Sequence, residues 1–158
     1  MAIDKVKEYF RQFGMEERII EKEVSSATVE LAAAALGVEP ARIAKSLSFK
    51  VGEQAILVVA AGDAKVDNRK YKDTFGTKAK MLSAEEVLAM VGHAVGGVCP
   101  FAIPGDVRVF LDGSMKRFAT VYPACGSSNS MIELSLEELE KYSRAEKWVD
   151  VCKGWGEE

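Results

Sequence analysis

The sequence predicts a mixed α/β or α+β fold with a curved, largely antiparallel sheet and helices packed outside it. Three observations support this prediction. Helical and strand-like segments are interspersed along the chain, two strand-like segments are separated only by a short glycine turn at 52–54, and no repeat, linker or low-complexity stretch divides the 158 residues. We therefore expect one domain over residues 1–158, which is long enough to bury a core.

Apolar spacing and capping residues predict the helices. The first helix carries apolar residues at helical spacing, from Val6 to Phe13, and Gly14 follows as a C-cap. The segment 25–28 opens an alanine-rich helix that ends at Gly37.

Four further helices are predicted along the chain. Pro40 suits the first position of a short helix ending near Lys45, and residues 68–75 form another. Ser83 and Ser135 each stand three residues before a glutamate, which is the capping-box pattern at a helix start. Strands are predicted at 18–24, 46–51, 55–61, 79–82, 107–111, 120–123 and 131–134.

Composition excludes several classes of protein. The chain is 48% hydrophobic and 28% charged, which is ordinary for a globular protein. Its apolar run at 55–61 is too short to span a bilayer, and the first residues have no apolar signal-peptide core. Cys99, Cys125 and Cys152 are spaced too widely for a disulfide framework or a metal knuckle. We expect a reduced cytoplasmic location, no membrane partner, no metal and no cofactor.

A net charge of −3 argues against nonspecific coating of nucleic acid, but one segment is locally basic. Asp67 and Asp73 are its only acidic residues. One interpretation is a solvated helix face, and the other is a docking patch for phosphates. The basic residues between positions 65 and 80 are Lys65, Arg69, Lys70, Lys72, Lys78 and Lys80.

The glycine-rich segment 92–105 is the first candidate for chemistry, since it holds four glycines and two prolines. The adjacent Gly96 and Gly97 allow positive φ and let a ligand approach backbone N–H groups, and Pro100 fixes the exit. Such a loop can donate hydrogen bonds to a carbonyl that becomes an oxyanion. The alternative is a plain connecting loop after a capped helix.

Lys45 is the second candidate, and two interpretations of it remain open. At the end of a short helix it would interact with the negative helix terminus, which contributes about 0.3–1 kcal/mol. Alternatively, its ammonium reaches across a cleft to a phosphate or a polarised carbonyl.

Cysteine and serine residues supply further candidates. His93 is the only histidine, so a histidine pair is excluded, while Cys99 with His93, or a triad led by Cys99, is a possible arrangement of a thiolate with a nearby base. Cys125 and Cys152 are interpreted as small apolar core residues. Ser127 and Ser128 are expected in a turn, where they either contact ligand or only shape the backbone.

The ordered set of motifs resembles the YbaK/EbsC family, the free-standing relatives of the editing domain of bacterial prolyl-tRNA synthetases. The resemblance covers roughly residues 18–143. Its motifs are 28–38 (TVELAAAALGV), 42–47 (RIAKSL), 96–100 (GGVCP), 109–112 (VFLD), 121–126 (VYPACG) and 131–134 (MIEL). The family's compact fold with a curved, largely antiparallel sheet is thereby implied.

The resemblance also implies deacylation of mischarged tRNA, most often tRNA(Pro), here carrying Cys or Ala. Lys45 would be the key lysine, and the Gly96 and Gly97 backbone would hold the aminoacyl carbonyl. Water or a ribose hydroxyl of the substrate would be the nucleophile. Aminoacyl-tRNA is the expected partner, with prolyl-tRNA synthetase as a further candidate. The residues expected to contact substrate are Thr28, Ser46, Val98, Cys99, Pro100, Gly126 and Ser127, and those expected to dock tRNA are Lys65, Arg69, Lys70 and Lys72.

Two departures from the family pattern bear on specificity. Cysteine-clearing relatives often have serine in place of Cys99 and a small hydroxyl residue near Ala124. Some also carry an acidic residue around Met131. A loop that acts through backbone N–H groups tolerates the first change, whereas the others affect the choice of amino acid. Two rival functions are a binding module without turnover and a small-molecule hydrolase that uses Cys99.

Overall fold

The computed structural model describes residues 2–23 and 28–155. Its helices are α1 (Ala2–Arg11), α2 (Val29–Leu36), α3 (Asn68–Phe75), α4 (Ala84–Met90) and α5 (Leu136–Ser143). Short 3-10 helices lie at Glu16–Arg18, Pro40–Arg42 and Gly113–Arg117. None of the helices described is long and apolar enough to cross a membrane.

The strands form one six-stranded sheet and two small two-stranded sheets. They are β1 (Ile19–Glu21), β2 (Ile43–Val51), β3 (Gln54–Ala61), β4 (Lys65–Val66), β5 (Arg108–Asp112), β6 (Thr120–Pro123), β7 (Ser130–Ile132), β8 (Leu134–Ser135), β9 (Lys147–Val149) and β10 (Cys152–Lys153). The large sheet has the order β8-β6-β2-β3-β5-β9, while β1 pairs with β7 and β4 with β10.

The predicted mixed α/β fold class is confirmed, but the large sheet is mixed rather than largely antiparallel, since three of its five strand pairings are parallel. The β2–β3 hairpin is antiparallel over eight residue pairs, from Ala44 opposite Ala61 to Val51 opposite Gln54. β3–β5, β5–β9 and β2–β6 are parallel. The connection from β3 to β5 carries β4, α3 and α4, and a long crossover is what a parallel pair requires.

Local capping signals located the helix starts well. Both predicted capping boxes are present, with Ser83 and Ser135 accepting from the backbone N–H groups of Glu86 and Glu138. Thr28 caps α2 by accepting from the Leu31 N–H at 3.1 Å. Gly37 ends the same helix in the left-handed region, as predicted. The predicted opening at 25–27 lies outside the described residues.

The short helix predicted to end near Lys45 is wrong. Pro40–Arg42 makes a single 3-10 turn, and Lys45 lies inside β2, opposite Ala60 of β3. Pairing with a strand outweighs the local helix signal of Pro40, because the hairpin satisfies the backbone groups of Lys45 and its neighbours. The interpretation of Lys45 as a helix-end cation therefore no longer applies.

Two predicted strands are shorter in the structure than expected. The strand predicted at 18–24 is reduced to β1, with residue 24 outside the described residues. The segment 79–82 makes one isolated bridge, between Phe49 and Met81, rather than a strand. It nevertheless lies along the free edge of β2, which places it beside the candidate site.

The core is built around β3, which is buried from Ala55 to Ala61. A strand covered on both faces needs a continuous apolar run, and this one provides it. An aromatic group joins the sheet to α3: the rings of Phe49 and Tyr71 lie 4.9 Å apart, as do those of Phe75 and Phe110. Pairing with the buried strand β3 from Ala44 to Val51 holds β2 in place.

Candidate active site

The candidate site lies where one edge of β2 has no strand partner. β6 pairs with this edge only at Ile43 and Ala44. The edge is next covered where the Leu82 N–H donates to the Ser48 carbonyl at 3.2 Å. Between these points, no strand among the described residues pairs with this edge of β2, while its other edge stays paired with β3. An uncovered edge exposes backbone hydrogen-bonding groups and gives access to residues of both faces, which explains how the neighbours Lys45 and Ser46 line one cavity.

The cavity at this edge has a volume of about 230 Å³. Three serines lie in its wall, Ser46, Ser48 and Ser130, but among the described lining residues Lys45 is the only one with a charged side chain. The remainder of the wall is mostly apolar and consists of Thr28, Val29, Ala32, Ile43, Ala44, Met81, Leu82, Val87, Val95, Gly96, Val98, Tyr122, Ala124 and Met131. The cavity is therefore suited to a small group whose negative charge is balanced by the Lys45 ammonium.

The ammonium of Lys45 is held by backbone carbonyls. Its Nζ donates to the carbonyl of Ala64 and, at 3.4 Å, to that of Gly62. Burial lowers the pKa of Lys45 below its ordinary value, while the negative charges of Asp63 and Glu30 act in the opposite direction. Because carbonyls do not neutralise the ammonium, its charge remains available to an anion in the cavity.

The turn that holds Lys45 is itself fixed. A β-carbon on Gly62 would lie 2.1 Å from the Pro40 carbonyl oxygen, so only glycine fits there. Asp63 accepts two hydrogen bonds from Arg117, at 2.6 and 2.9 Å. These contacts position the carbonyls that orient the Lys45 ammonium.

The glycine loop contributes Gly96 and Val98 to the cavity wall, and Gly97 anchors the loop. A β-carbon on Gly97 would lie 2.7 Å from the Ser127 nitrogen and 2.8 Å from the Gly126 carbonyl carbon. Gly126 in turn packs against the backbone of Ala2 and Ile3 at the start of α1. The loop therefore rests backbone to backbone on segment 126–127, an approach that side chains would prevent.

Three loop residues at the cavity, Val95, Gly96 and Val98, have backbone amides with no acceptor among the described residues. Gly97 donates its N–H to the Ala94 carbonyl at 3.0 Å, so that donor is engaged. Gly96 and Val98 line the cavity, and within the described residues their N–H groups have no acceptor. Gly96 has a φ of 97°, a conformation that favours glycine. Unpaired amides at a small cavity are suited to binding an oxyanion.

His93 and Cys99 meet beneath the loop rather than in the cavity. Cys99 Sγ lies 3.5 Å from His93 Nε2, and that nitrogen lies 2.9 Å from the Phe101 carbonyl oxygen. Both side chains are fully buried. Burial raises the pKa of the Cys99 thiol to about 12 and lowers that of His93. The pair thus connects residues 93 and 101 at the two ends of the loop, and a thiol whose pKa is raised in this way is disfavoured as a thiolate nucleophile.

The other residues expected to contact substrate are distributed unevenly. Ser46 faces the cavity, and its hydroxyl is buried with no partner in the described residues. Thr28 lines the mouth while its hydroxyl caps α2. Ser127 lies in a turn, as predicted, where its hydroxyl bonds Ser130 and Asn129. Neither Gly126 nor Ser127 is among the described lining residues, and Pro100 lies behind the loop against a second cavity.

The basic segment begins next to Lys45. Lys65, in β4, follows the carbonyl that Lys45 binds, and its charge acts on the Lys45 pKa. Arg69 and Lys72 are exposed on α3, whereas Lys70 bonds Asp150 at 3.0 Å. The expected docking residues therefore begin directly after the turn whose carbonyls bind Lys45, and three of them are free of such a carboxylate contact among the described residues.

Several residues that line the cavity were not predicted from the sequence to contact substrate. Ser48 and Ser130 are buried polar residues, while Tyr122 lies under the guanidinium of Arg42 at 5.1 Å. Alternation along β2 could have suggested Ser48, which shares a face with Ser46. Ser130 and Tyr122 have no such local signal, since pairing between distant strands brings them to the site. The described residues contain no cluster of metal-ligating side chains.

The chain is similar to known proteins over most of its length. The profile of the aminoacyl-tRNA editing domain matches residues 23–142. YwhH of Bacillus subtilis, described as uncharacterized, is 56% identical over 98% of this chain and 99% of its own length. A proline–tRNA ligase of Bacillus cytotoxicus is 28% identical over 78% of this chain, which corresponds to only 22% of the ligase.

A solved structure supports the same relationship. A candidate trans-editing enzyme for prolyl tRNA synthetase superimposes with a TM-score of 0.87 and 26% identity, and the match covers 97% of this chain and 98% of that one. The family profile extends over well more than half of the sequence. The chain therefore belongs to the aminoacyl-tRNA editing domain family.

Proposed function

We propose that this protein is a trans-editing deacylase that hydrolyses the ester of mischarged tRNA, with tRNA(Pro) carrying Cys or Ala as its substrate. One observation carries the proposal: of the described residues that line a small cavity, Lys45 alone is charged, and the amides of Gly96 and Val98 in its wall have no acceptor in that part of the chain. Its volume of about 230 Å³ suits a small aminoacyl group. The ligase relatives make tRNA(Pro) the leading choice of tRNA.

The chemistry requires charge stabilisation rather than a protein nucleophile. Water, activated by a ribose hydroxyl of the terminal adenosine, attacks the ester carbonyl and places negative charge on its oxygen. Direct attack by that hydroxyl would only move the aminoacyl group along the ribose, so water must complete the hydrolysis. The amides of Gly96 and Val98 and the ammonium of Lys45 stabilise that oxygen. The bond to the ribose oxygen then breaks, and that oxygen takes up the proton of the nucleophile. After attack by water, the products are the free amino acid and the tRNA. We assign Gly97 the role of positioning the loop, since its N–H already donates to the Ala94 carbonyl.

The decisive experiment is a panel of mischarged tRNAs incubated with the protein, with release of free amino acid as the measurement. Cys-tRNA(Pro) and Ala-tRNA(Pro) are expected to be cleaved, and correctly charged Pro-tRNA(Pro) to be spared. Lys45→Ala should abolish release, because loss of one oxyanion-stabilising group typically costs about 10²–10³ in rate.

A matched variant separates this effect from general damage to β2. Lys50 lies on the same strand, pairs with Glu86 at 3.6 Å and is absent from the described cavity lining. Lys50→Ala should retain activity, and both variants should give the circular dichroism spectrum of the wild type. Full activity in Lys45→Ala would remove the lysine from the mechanism.

The hydrolase that uses Cys99 makes a different prediction. Because the thiol is buried and its pKa is raised to about 12, Cys99→Ser should leave deacylation within a few-fold of wild type. Rate constants on Cys-tRNA(Pro) test this, with thiol alkylation as a second measurement. An inactive Cys99→Ser protein of normal stability would restore the cysteine as nucleophile.

A binding module is the second candidate function. The Lys65–Lys72 region would hold phosphates whether or not turnover follows. Binding of several mischarged tRNAs without release of any amino acid would favour this function over the deacylase. The partner question is tested in the same assay by adding prolyl-tRNA synthetase, which should raise the rate if it supplies tRNA recognition.

A further inference from the structure

A second cavity, of about 320 Å³, lies against the same loop. Gly96 and Val98 face the first cavity, whereas Pro100, Ala102 and Pro104 line the second. The far wall comes from α1 and the end of α5, through Tyr9, Tyr142 and Arg144. One loop thus contributes to two cavities, and the function proposed above uses only the first.

Unusual backbone conformations are concentrated at this second cavity. Among the described residues, only Ala102 (φ 55°) and Arg144 (φ 56°) adopt a positive φ without being glycine, and both line it. Arg144 ends α5 at the position where glycine is usual. A side chain retained at a strained position indicates a role, and such residues cluster at ligand sites.

The cavity combines aromatic faces with a cation for which the described part of the chain supplies no counter-ion. The Arg144 guanidinium lies 5.7 Å from the Tyr9 ring centroid and, within the described residues, pairs with no carboxylate. The Tyr9 hydroxyl is already used, since it donates to the Tyr142 carbonyl at 2.7 Å. Its ring packs against Phe13 at 5.4 Å and Phe101 at 6.5 Å between centroids, and the part of the ring that stays accessible is the contact surface. Arg108 is different, because it makes two hydrogen bonds to Glu146, at 2.7 and 2.8 Å.

We infer that the second cavity binds a nucleotide, with the base against Tyr9 and the proline rings and the phosphate on Arg144. Aromatic rings and guanidinium planes are the surfaces on which unpaired bases stack, and arginine forms paired hydrogen bonds with phosphate. The volume falls at the lower end of the range of about 300–1,000 Å³ usual for ligand sites. The nucleotide belongs either to the single-stranded acceptor end of tRNA or to a free mononucleotide.

Equilibrium binding tests this without any turnover. AMP, CMP and uncharged tRNA(Pro) are titrated by isothermal calorimetry against the wild type and Arg144→Gly. Glycine is favoured at this backbone conformation, so Arg144→Gly removes the guanidinium while relieving strain. Lys116→Gln is the matched control, since its ammonium also lies over an aromatic ring, 4.8 Å from the Trp148 centroid, away from both cavities.

The expected result is saturable binding that Arg144→Gly weakens about tenfold or more and Lys116→Gln leaves unchanged. Loss of AMP or CMP binding with tRNA affinity unchanged identifies a free nucleotide as the ligand. Loss confined to tRNA identifies the acceptor end. If Arg144→Gly changes neither, or if inorganic phosphate competes as well as CMP does, the nucleotide site is overturned. None of these outcomes depends on whether the first cavity cleaves esters.

Discussion

At the scale of the residue, Lys45 is held by carbonyl oxygens rather than by a carboxylate. The Ala64 and Gly62 carbonyls orient its ammonium without cancelling its charge. Burial lowers its pKa, because a desolvated ammonium is less stable than one in water. A cation of this kind can respond to negative charge that develops on a bound ester.

This environment predicts the pH dependence of deacylation. The reaction needs the ammonium form, and the pKa of Lys45 lies below its ordinary value of 10.5. Activity that depends on Lys45 should therefore fall as pH rises, with an apparent pKa below that of a free lysine side chain. The measurement is the rate of the wild type minus that of Lys45→Ala between about pH 7 and 10. A difference that stays constant or rises over this range would contradict a cationic role.

At the scale of the element, the glycine loop depends on its contact with segment 126–127. Its shape is set by the approach of Gly97 to that backbone and by the contact from His93 to the Phe101 carbonyl. No helix or strand of its own fixes the segment between α4 and β5. The loop amides therefore stay in place only as long as this packing does.

Gly97→Ala tests that dependence. The added β-carbon would lie 2.7 Å from the Ser127 nitrogen, so the two backbones must separate. We expect the free energy of unfolding to fall by about 1–3 kcal/mol, as for other overpacked positions, together with a loss of deacylation. Urea denaturation and the tRNA assay measure the two effects.

Gly113→Ala is the matched control for that substitution. Its β-carbon would meet only the Val149 carbonyl oxygen, at an ordinary 3.7 Å. This variant should stay close to the wild type in stability and activity. Equal behaviour of the two variants would show that the loop does not depend on close backbone contact at Gly97.

At the scale of the whole molecule, charge is unevenly distributed. The net charge of −3 opposes binding of polyanions, yet the segment from Lys65 to Lys72 is basic and starts beside the Lys45 turn. Lys70 is engaged with Asp150, so Arg69 and Lys72 are the better candidates for phosphate contacts on α3. This surface would bring a tRNA end toward the first cavity.

The double variant Arg69→Gln/Lys72→Gln tests this surface. Its affinity for uncharged tRNA should fall, and the slope of log affinity against log salt should become shallower by up to about 0.9 for each phosphate that the variant no longer neutralises. The variant Arg11→Gln/Lys116→Gln removes the same charge elsewhere and should change the slope little. Equal slopes in both variants would indicate that α3 is only a solvated face.

The sequence by itself determined the features that depend on neighbouring residues. Capping boxes at Ser83 and Ser135, the glycine end of α2 and the hairpin turn at Gly52 act over a few positions, so local pattern predicts them. The motif order led to the family, and it selected Lys45 and the glycine loop before any contact was known. Their catalytic roles stay predictions.

Only the tertiary structure decided where those residues lie relative to one another and which contacts they make. It moved Lys45 from a helix end into a strand, paired β3 with β5 in parallel, and turned Gly97 toward segment 126–127 rather than the cavity. It also placed Cys99 in the core next to His93. The physical reason is common to all four: contacts between residues far apart in the chain set strand pairing, burial and loop position, and no local pattern records them.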